Sequence, residues 1–323
     1  MEASDLTILL ILEVIMAKVL VTGGAGFIGS NLVDALIEKN HEVAVVDNLS
    51  TGRQENLNPQ AHFYKIDITD QEPLSEVFAK EKPEIIFHLG AQASVNTSVE
   101  NPALDISVNV IGTVNLLELC RQHNIKKIIF SSTGGAIYGD QAPRPTNETA
   151  EQLPATPYGM DKLAAEKYIN FYQNNYDLKP VILRYANVYG PRQNPHGEAG
   201  VIAIFTDRML KNTPYNLYGD GEQTRDFVFV GDVVRANLAA LEYNKTGIFN
   251  IGSGRETSVN QVIELLQKYS GSSLPPTKMP AKLEQRNSCL DSSLAQEKLN
   301  WQPSADIEEG LKKTIEFYKN SLK

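Results

Sequence analysis

Thr22 to Gly29 reads TGGAGFIG, placed directly after the apolar run Lys18 to Thr22 (KVLVT) and directly before Asn31 to Lys39, where Leu32, Ala35 and Leu36 recur at helical spacing. A strand that ends in glycines and hands over to a helix must turn tightly. A second β-branched run follows the helix, Glu42 to Val46, and further buried-strand candidates are Ile85 to Leu89, Lys127 to Ser131 and Pro180 to Arg184. Helical stretches separate them at Glu72 to Ala79, Ala103 to His123 and Pro157 to Tyr176, the last with Thr156 as its cap and Pro157 in its first turn. Strands alternating with helices predict an α/β chain built on a doubly wound parallel sheet.

The glycines fall at 23, 26 and 29, and Gly24 to Gly29 also satisfies GxGxxG. Both registers describe a backbone that approaches a pyrophosphate with no Cβ in the way and presents the amides of a helix N-terminus to the anion. A glycine cluster alone is weak evidence; its position between strand and helix makes it specific. The expected fold is therefore Rossmann-type, with Gly23, Gly26, Phe27, Ile28 and Gly29 against a dinucleotide. Asp47 ends the second strand, where a carboxylate accepts from ribose hydroxyls, which favours NAD over NADP; its neighbour Asn48 is expected against the same cofactor. Arg53 is read as a loop charge and not as a partner for a 2′-phosphate.

Composition removes several alternatives. A formal net charge of −9 with no basic block argues against nucleic acid, so none is expected as partner. Two distant cysteines offer neither a disulfide framework nor a thiolate metal site, and the five histidines show no ligand spacing, so no metal is expected and the compartment reads as reducing and cytoplasmic. Leu6 to Met16 is apolar but too short to span a bilayer, and Glu2 and Asp5 stand where an export signal carries positive charge. Residues 1 to 16 are read as an extension ahead of Met16, with no membrane role. Residues 17 to 185 are read as the NAD-binding domain. The turn-rich remainder, 186 to 323, is read mainly as a smaller C-terminal substrate-binding domain with parts returning to the sheet, Ser270 to Pro280 being a loop. Ala103 to His123 is apolar on more faces than a surface helix needs, which predicts packing against a second subunit in a homodimer.

Tyr158 and Lys162 lie four apart on one helix and project from one face. With thirteen tyrosines in the chain such a pair also arises by chance, so the spacing decides nothing alone. An ammonium nearby is expected to lower the tyrosine pKa and fit it to act as a base toward an alcohol. The strand Ile128 to Ser131 runs into Ser132 and Thr133 ahead of this helix, an order that places Thr133 beside Tyr158.

These segments together resemble the extended short-chain dehydrogenase/reductases: TGGAGFIG, DNLSTG (Asp47 to Gly52), HLGAQASV (His88 to Val95), SSTGGAIYG (Ser131 to Gly139), YGMDK (Tyr158 to Lys162), RYANVYGPRQ (Arg184 to Gln193) and TRDFVFVGD (Thr224 to Asp232). The likeness runs from about residue 17 to the C-terminus, and within that family it is strongest to the UDP-glucose (UDP-galactose) 4-epimerases. The resemblance implies that Thr133, Tyr158 and Lys162 carry the chemistry, and that Asp67 and Ile68 flank adenine. By the same likeness Leu89, Ala91, Asn109 and Ser131 line the cofactor with Tyr185 near the nicotinamide. It also implies a UDP-sugar held by Asn187, Val201, Arg225 and Tyr218.

Related dehydratases carry an acidic pair after the catalytic Thr, and related decarboxylases a Glu; here those places are Gly134, Gly135 and Ala136. Without a carboxyl to expel a hydroxyl, a 4-keto sugar would only be reduced again, which predicts epimerisation. Two departures stand out. The usual diphosphate arginine near Ala281 is missing, so Lys282 or Arg286 is expected to substitute. Ser288 occupies a place where some epimerases have Tyr, which predicts room for UDP-GlcNAc and UDP-GalNAc besides the plain hexoses. The competing readings are a UDP-hexuronate epimerase or net oxidoreductase on the same Tyr/Lys pair, and a non-catalytic NAD-binding protein.

Overall fold

The computed structural model describes residues 16–196, 200–281 and 285–322. Its centre is a seven-stranded sheet made of β1 (Lys18–Thr22), β2 (Glu42–Val46), β3 (His62–Tyr64), β4 (Ile85–His88), β5 (Lys127–Thr133), β6 (Lys179–Tyr185) and β10 (Gly247–Ile251). In space the order is β10-β6-β5-β4-β1-β2-β3 and every pairing is parallel. The strands are nearly continuous apolar runs because both faces are covered. Val19, Val21, Phe87 and Ile129 point into one layer, and Leu20, Ile86, Ile128 and Phe130 into the other. Each such side chain taken fully out of water stabilises the fold by ~1.5–3 kcal/mol.

The covering helices are α1 (Phe27–Glu38), α2 (Gln71–Glu81), α3 (Val95–Glu100), α4 (Pro102–Ile106), α5 (Gly112–Gln122) and α6 (Pro157–Tyr176). Thr156 caps α6 through a bond from the Gly159 amide, as its sequence predicts. The expected helix Ala103 to His123 is present, but Ser107–Ile111 between α4 and α5 forms a π turn. α1 starts earlier than its apolar periodicity shows, because Phe27 and Ile28 already belong to its first turn.

The remainder contains β7 (Asn187–Tyr189), α7 (Val201–Leu210), β8 (Asn216–Tyr218), β9 (Thr224–Phe229), α8 (Val230–Glu242), β11 (Glu256–Ser258), α9 (Val259–Ser270), β12 (Thr277–Met279), α10 (Ser293–Leu299) and α11 (Ile307–Ser321). β10 joins the edge of the main sheet, and α8 packs beside α1 and β6. β11, β9 and β7 form a second sheet over a separate cluster that includes Ile202, Phe205, Leu266 and Leu311. One expectation needs correction: Ser270 to Pro280 is not wholly a loop, because Thr277–Met279 pairs in parallel with Asn216–Tyr218. The pairing comes from backbone hydrogen bonding between two short edge segments, which leaves no periodic trace in so few residues.

Candidate active site at the carboxyl ends of the strands

The sheet order reverses at β1 and β4, and the crevice of a doubly wound sheet opens at that point. Gly23 occupies it with φ +71°, and a Cβ there would stand 2.7 Å from the Gly90 amide nitrogen. A Cβ on Gly29 would stand 2.1 Å from the Gly23 carbonyl oxygen. Gly26 is the N-cap of α1 and no side chain caps that helix, so its first-turn amides face the crevice without a competing acceptor from the cap. Phe27 and Ile28, half-buried, form that turn. Such a cradle fits a pyrophosphate.

Asp47 is buried and accepts from the Ala25 amide at 3.0 Å and the Leu49 amide at 2.8 Å, which pins the glycine turn to the end of β2. Asn48 donates to Asp67 at 2.7 Å. Burial would raise the Asp67 carboxyl, but hydrogen bonds from the Thr69 amide and hydroxyl and from Asn48 outweigh it and hold it below the usual range. Ile68 packs where a Cβ on Gly112 would meet it at 2.7 Å. Arg53 is engaged by Glu55 at 3.2 Å and Asn194 at 3.0 Å, a loop charge as its sequence suggests.

After β4, the Leu89 amide bonds the Thr22 carbonyl at 3.1 Å, and half-buried Ala91 leads into Gln92. Asn109 sits inside the π turn, a local geometry frequent at functional sites. Its amide group answers both backbone groups of Gln92, accepting at 3.0 Å and donating at 2.9 Å. His88 lies beneath, between the Thr22 hydroxyl at 2.8 Å and the Thr113 hydroxyl at 2.9 Å. Thr113 donates to the Asn109 carbonyl at 2.6 Å, so it accepts from His88 Nε2, which assigns the Nε2–H tautomer. Burial, and then the Lys162 charge, push the His88 pKa down to about 3, so the ring is neutral.

β5 and β6 run in register to their ends, with Thr133 opposite Tyr185. Ser131 meets the Tyr185 hydroxyl at 3.0 Å, and Asn237 of α8 donates to it at 2.8 Å. Thr133 lies beside Tyr158, as expected, and its hydroxyl favours the ionised phenol. Lys162 follows one turn later on α6, buried, with its ammonium 4.2 Å from the centre of the Phe130 ring. The expected effect of the lysine on the tyrosine is not what this geometry gives. Burial, reinforced by the charge of Asp105, pushes the Tyr158 phenol up to about 12, with only the Thr133 hydroxyl opposing. Lys162 itself is pushed down to about 8 by burial, against the attraction of Glu166 and Asp105. Desolvation disfavours each charged form more than the pair's spacing alone indicates.

Asn187 opens β7 with its Oδ1 buried and unpartnered. A Cβ on Gly135 would stand 3.6 Å from that oxygen and 3.9 Å from the Thr133 hydroxyl, so the glycine leaves a recess between Thr133 and Asn187. Gly134 and Ala136 flank it, and none of the three offers an acid.

Arg225, Arg286 and Ser288 come together at β9. The Arg225 guanidinium donates to the Thr224 carbonyl at 2.9 Å and the Arg286 carbonyl at 3.3 Å. Ser288 is buried, its amide on the Thr224 carbonyl at 3.2 Å. Tyr218 ends β8 with its carbonyl held by Gln223, and Val201 begins α7. Arg286 is paired with Asp220 at 2.8 Å on the surface, which holds the aspartate down at about pH 2. Serving a diphosphate would require Arg286 to leave that partner; Lys282 lies outside the described residues.

Sequence reasoning missed several members. Glu166 grips Arg184 through two bonds of 2.6 and 3.0 Å and takes the Ser132 hydroxyl at 2.5 Å, fixing α6 to the strand ends beside Thr133. Asn237 and His88 were likewise missed. All act through contacts distant in sequence, which no motif spacing encodes. Among the described residues no cluster suited to a metal ion is present.

A family model described as the NAD dependent epimerase/dehydratase family matches residues 19–252. A putative UDP-glucose 4-epimerase of Methanocaldococcus jannaschii is 47% identical over 306 residues, covering 94% of this chain and 99% of the relative. Among solved structures, a UDP-glucose 4-epimerase from Thermotoga maritima with UDP-glucose superposes with a TM-score of 0.93 at 51% identity, covering 94% of this chain and 99% of that one. A UDP-glucose 4-epimerase from Thermus thermophilus in complex with NAD gives 0.89 at 42% identity, with the same coverage of 94% and 99%.

Proposed function

Because the chain belongs to the NAD-dependent epimerase/dehydratase family, we propose that it interconverts UDP-hexoses at C4 through a transient 4-keto sugar, with Tyr158 as base. The enzyme is an isomerase that uses NAD. Bound in its oxidised form, NAD supplies the acceptor for the C4 hydride and adds positive charge to the site.

The observation that carries the reading is Thr133 standing beside Tyr158, where it favours the ionised phenol, one helical turn from Lys162, at strand ends that bear no acid at 134–136. Tyr158 takes the proton of the 4-hydroxyl and Thr133 orients that hydroxyl. Lys162 is assigned to stabilise the phenolate once it forms, against the burial that pushes the phenol up. Gly23, Gly26, Gly29 and the α1 amides would hold the pyrophosphate, Asp47 the adenosine ribose, and Asn109 and Ser131 the inner wall. Asn187 and Arg225 are assigned to the sugar nucleotide's diphosphate and Tyr218 to its base. Firm grip on the nucleotide alone leaves the sugar able to turn and take the hydride back on its other face.

Residues 17 to 185 with α8 and β10 are assigned to the cofactor, and most of 186 to 323 to the nucleotide sugar. Small Ser288 and the recess at Gly135 support admission of N-acetylated hexoses. Leu104, Ile106, Ile111, Met160, Tyr168 and Phe171 are exposed on α4 to α6 and support a homodimer through those helices. The segment Pro102–Gln122 is long and apolar enough to cross a membrane, and Leu116, Leu117, Leu119 and Cys120 within it pack into the core beneath the sheet. Two free, buried thiols, Cys120 and Cys289, support a reducing cytoplasmic setting.

The test is incubation with UDP-Gal, UDP-GalNAc and UDP-GalA in turn, with NMR of the products. Conversion of the first two without net consumption of added NAD supports the reading. Turnover of UDP-GalA alone would move it to the hexuronates, and stoichiometric cofactor consumption would end it.

A further inference from the structure

Asp105 on α4 and Asp161 on α6 are 0% and 8% exposed, and each keeps one oxygen, Oδ2, sealed from solvent without a donor. Gln92 Nε2 donates to the other oxygen of Asp105 at 2.5 Å, and Asp161 is in hydrogen-bond contact with the Asp105 carboxyl. Carboxylates are acceptors only, so two of them facing each other out of water are both unsatisfied and mutually repulsive. One proton shared between the two carboxyls relieves the repulsion and supplies the donor that carboxylates lack.

The pair stands beside the reacting groups. Asp161 directly precedes Lys162, and the charge of Asp105 acts on both Tyr158 and Lys162. The other elements around it bring little charge: α3 carries only exposed Glu100, the π turn has no ionisable side chain, and β4 brings neutral His88. Glu166, further along α6, is committed to Arg184.

We propose that Asp105 and Asp161 are positioning residues for the Tyr158/Lys162 pair: one proton shared between their buried oxygens keeps a single negative charge beside the first turns of α6, and loss of that proton opposes ionisation of Tyr158. This rests on the reading of Tyr158 as the base. Burial, then the bond to Asp105 and its charge, push Asp161 up to about 7, so the second charge would arrive in the pH range where the phenolate is needed. Asparagine at either position keeps a donor for its partner and removes one of the two facing carboxyls.

The experiment is the pH dependence of kcat for UDP-galactose in wild type, Asp161→Asn, Asp105→Asn and the double variant. Each single variant is expected to move the acid limb to lower pH by about one unit, and the double variant further, since a nearby like charge shifts a pKa by about 1–3 units. Limbs that coincide in all four proteins, or a kcat lowered equally at every pH, would overturn the proposal in favour of a structural role. Carboxyl-carbon NMR of wild type gives a readout independent of turnover and of the variants' folding. It should show one Asp titrating near neutrality, and titration of every Asp below about pH 5 would equally overturn the proposal. An inactive wild type with that neutral titration would sink the reading of Tyr158 and leave the shared proton standing.

Discussion

The Lys162 ammonium lies 4.2 Å from the centre of the Phe130 ring, 4% exposed, on the floor of the crevice where Thr133 meets Tyr158. A cation so placed is stabilised by the ring face and by the more distant charges of Glu166 and Asp105, but not enough to offset its loss of water. The site thus keeps a charge that the fold would be more stable without. Folded Lys162 ionises at about 8 against an ordinary value of 10.5. A depressed folded pKa means stability that is full above 10.5, declines as pH falls toward about 8, and stays reduced at neutral pH.

Lys162→Met is accordingly expected to raise the melting temperature at pH 7 while abolishing most epimerisation. The gain should shrink when the scan is repeated near pH 10, where the wild-type side chain is neutral. Calorimetry at both pH values checks this, and a variant less stable than wild type at pH 7 would contradict it.

Tyr158→Phe should reduce kcat by about 10²–10⁴-fold, the usual contribution of a general base, with UDP-hexose binding and melting temperature little changed. Titration calorimetry with UDP-glucose separates the two effects. A fall in affinity as large as the fall in kcat would instead make Tyr158 a binding residue.

The sequence made the glycine turn, Asp47, the strand ends and the Thr133/Tyr158/Lys162 trio legible, because each is local: a φ above zero, a carboxylate at a strand terminus, a one-turn spacing on a helix. β2 and α6 follow the predicted boundaries for the same reason. The sign of the Tyr158 shift was not legible, since it depends on burial by residues far along the chain. Asp105 is fifty-six residues from Asp161, and His88 finds its two threonines on β1 and α5. The strand at Thr277–Met279 was hidden for another reason: three exposed residues carry no alternation.

His88 should control acid stability. Its folded pKa of about 3 lies below the ordinary 6.5, so the stability it confers is complete above about 6.5 and is lost progressively as pH falls toward 3. His88→Gln keeps hydrogen-bonding groups for Thr22 and Thr113 but cannot take up that proton. Urea midpoints measured from pH 7 down to pH 4 should fall less steeply in the variant. Parallel curves would show that folded His88 takes up its proton as readily as the unfolded chain does, and would contradict the prediction.

Gly29→Ala should fail in both stability and cofactor binding. A Cβ would lie 2.1 Å from the Gly23 carbonyl oxygen, so the turn must open and carry the α1 amides away from the pyrophosphate. Loss of bound NAD after purification, with a melting temperature that no longer rises when NAD is added, is the expected result.

Ser288→Tyr tests the room for N-acetylated sugars. Ser288 is only 7% exposed and its amide is fixed to the Thr224 carbonyl, so the backbone there is held by β9 and a larger side chain must project into whatever space adjoins it. If that space is the hexose cavity, turnover of UDP-GalNAc should drop by at least about ten-fold, a steric cost of ~1.4 kcal/mol or more, while UDP-galactose is spared. The ratio of the two kcat/KM values is the quantity to measure, because a general loosening of the fold lowers both together. An unchanged ratio would place Ser288 outside the cavity and leave the recess at Gly135 as the remaining source of space beside Thr133.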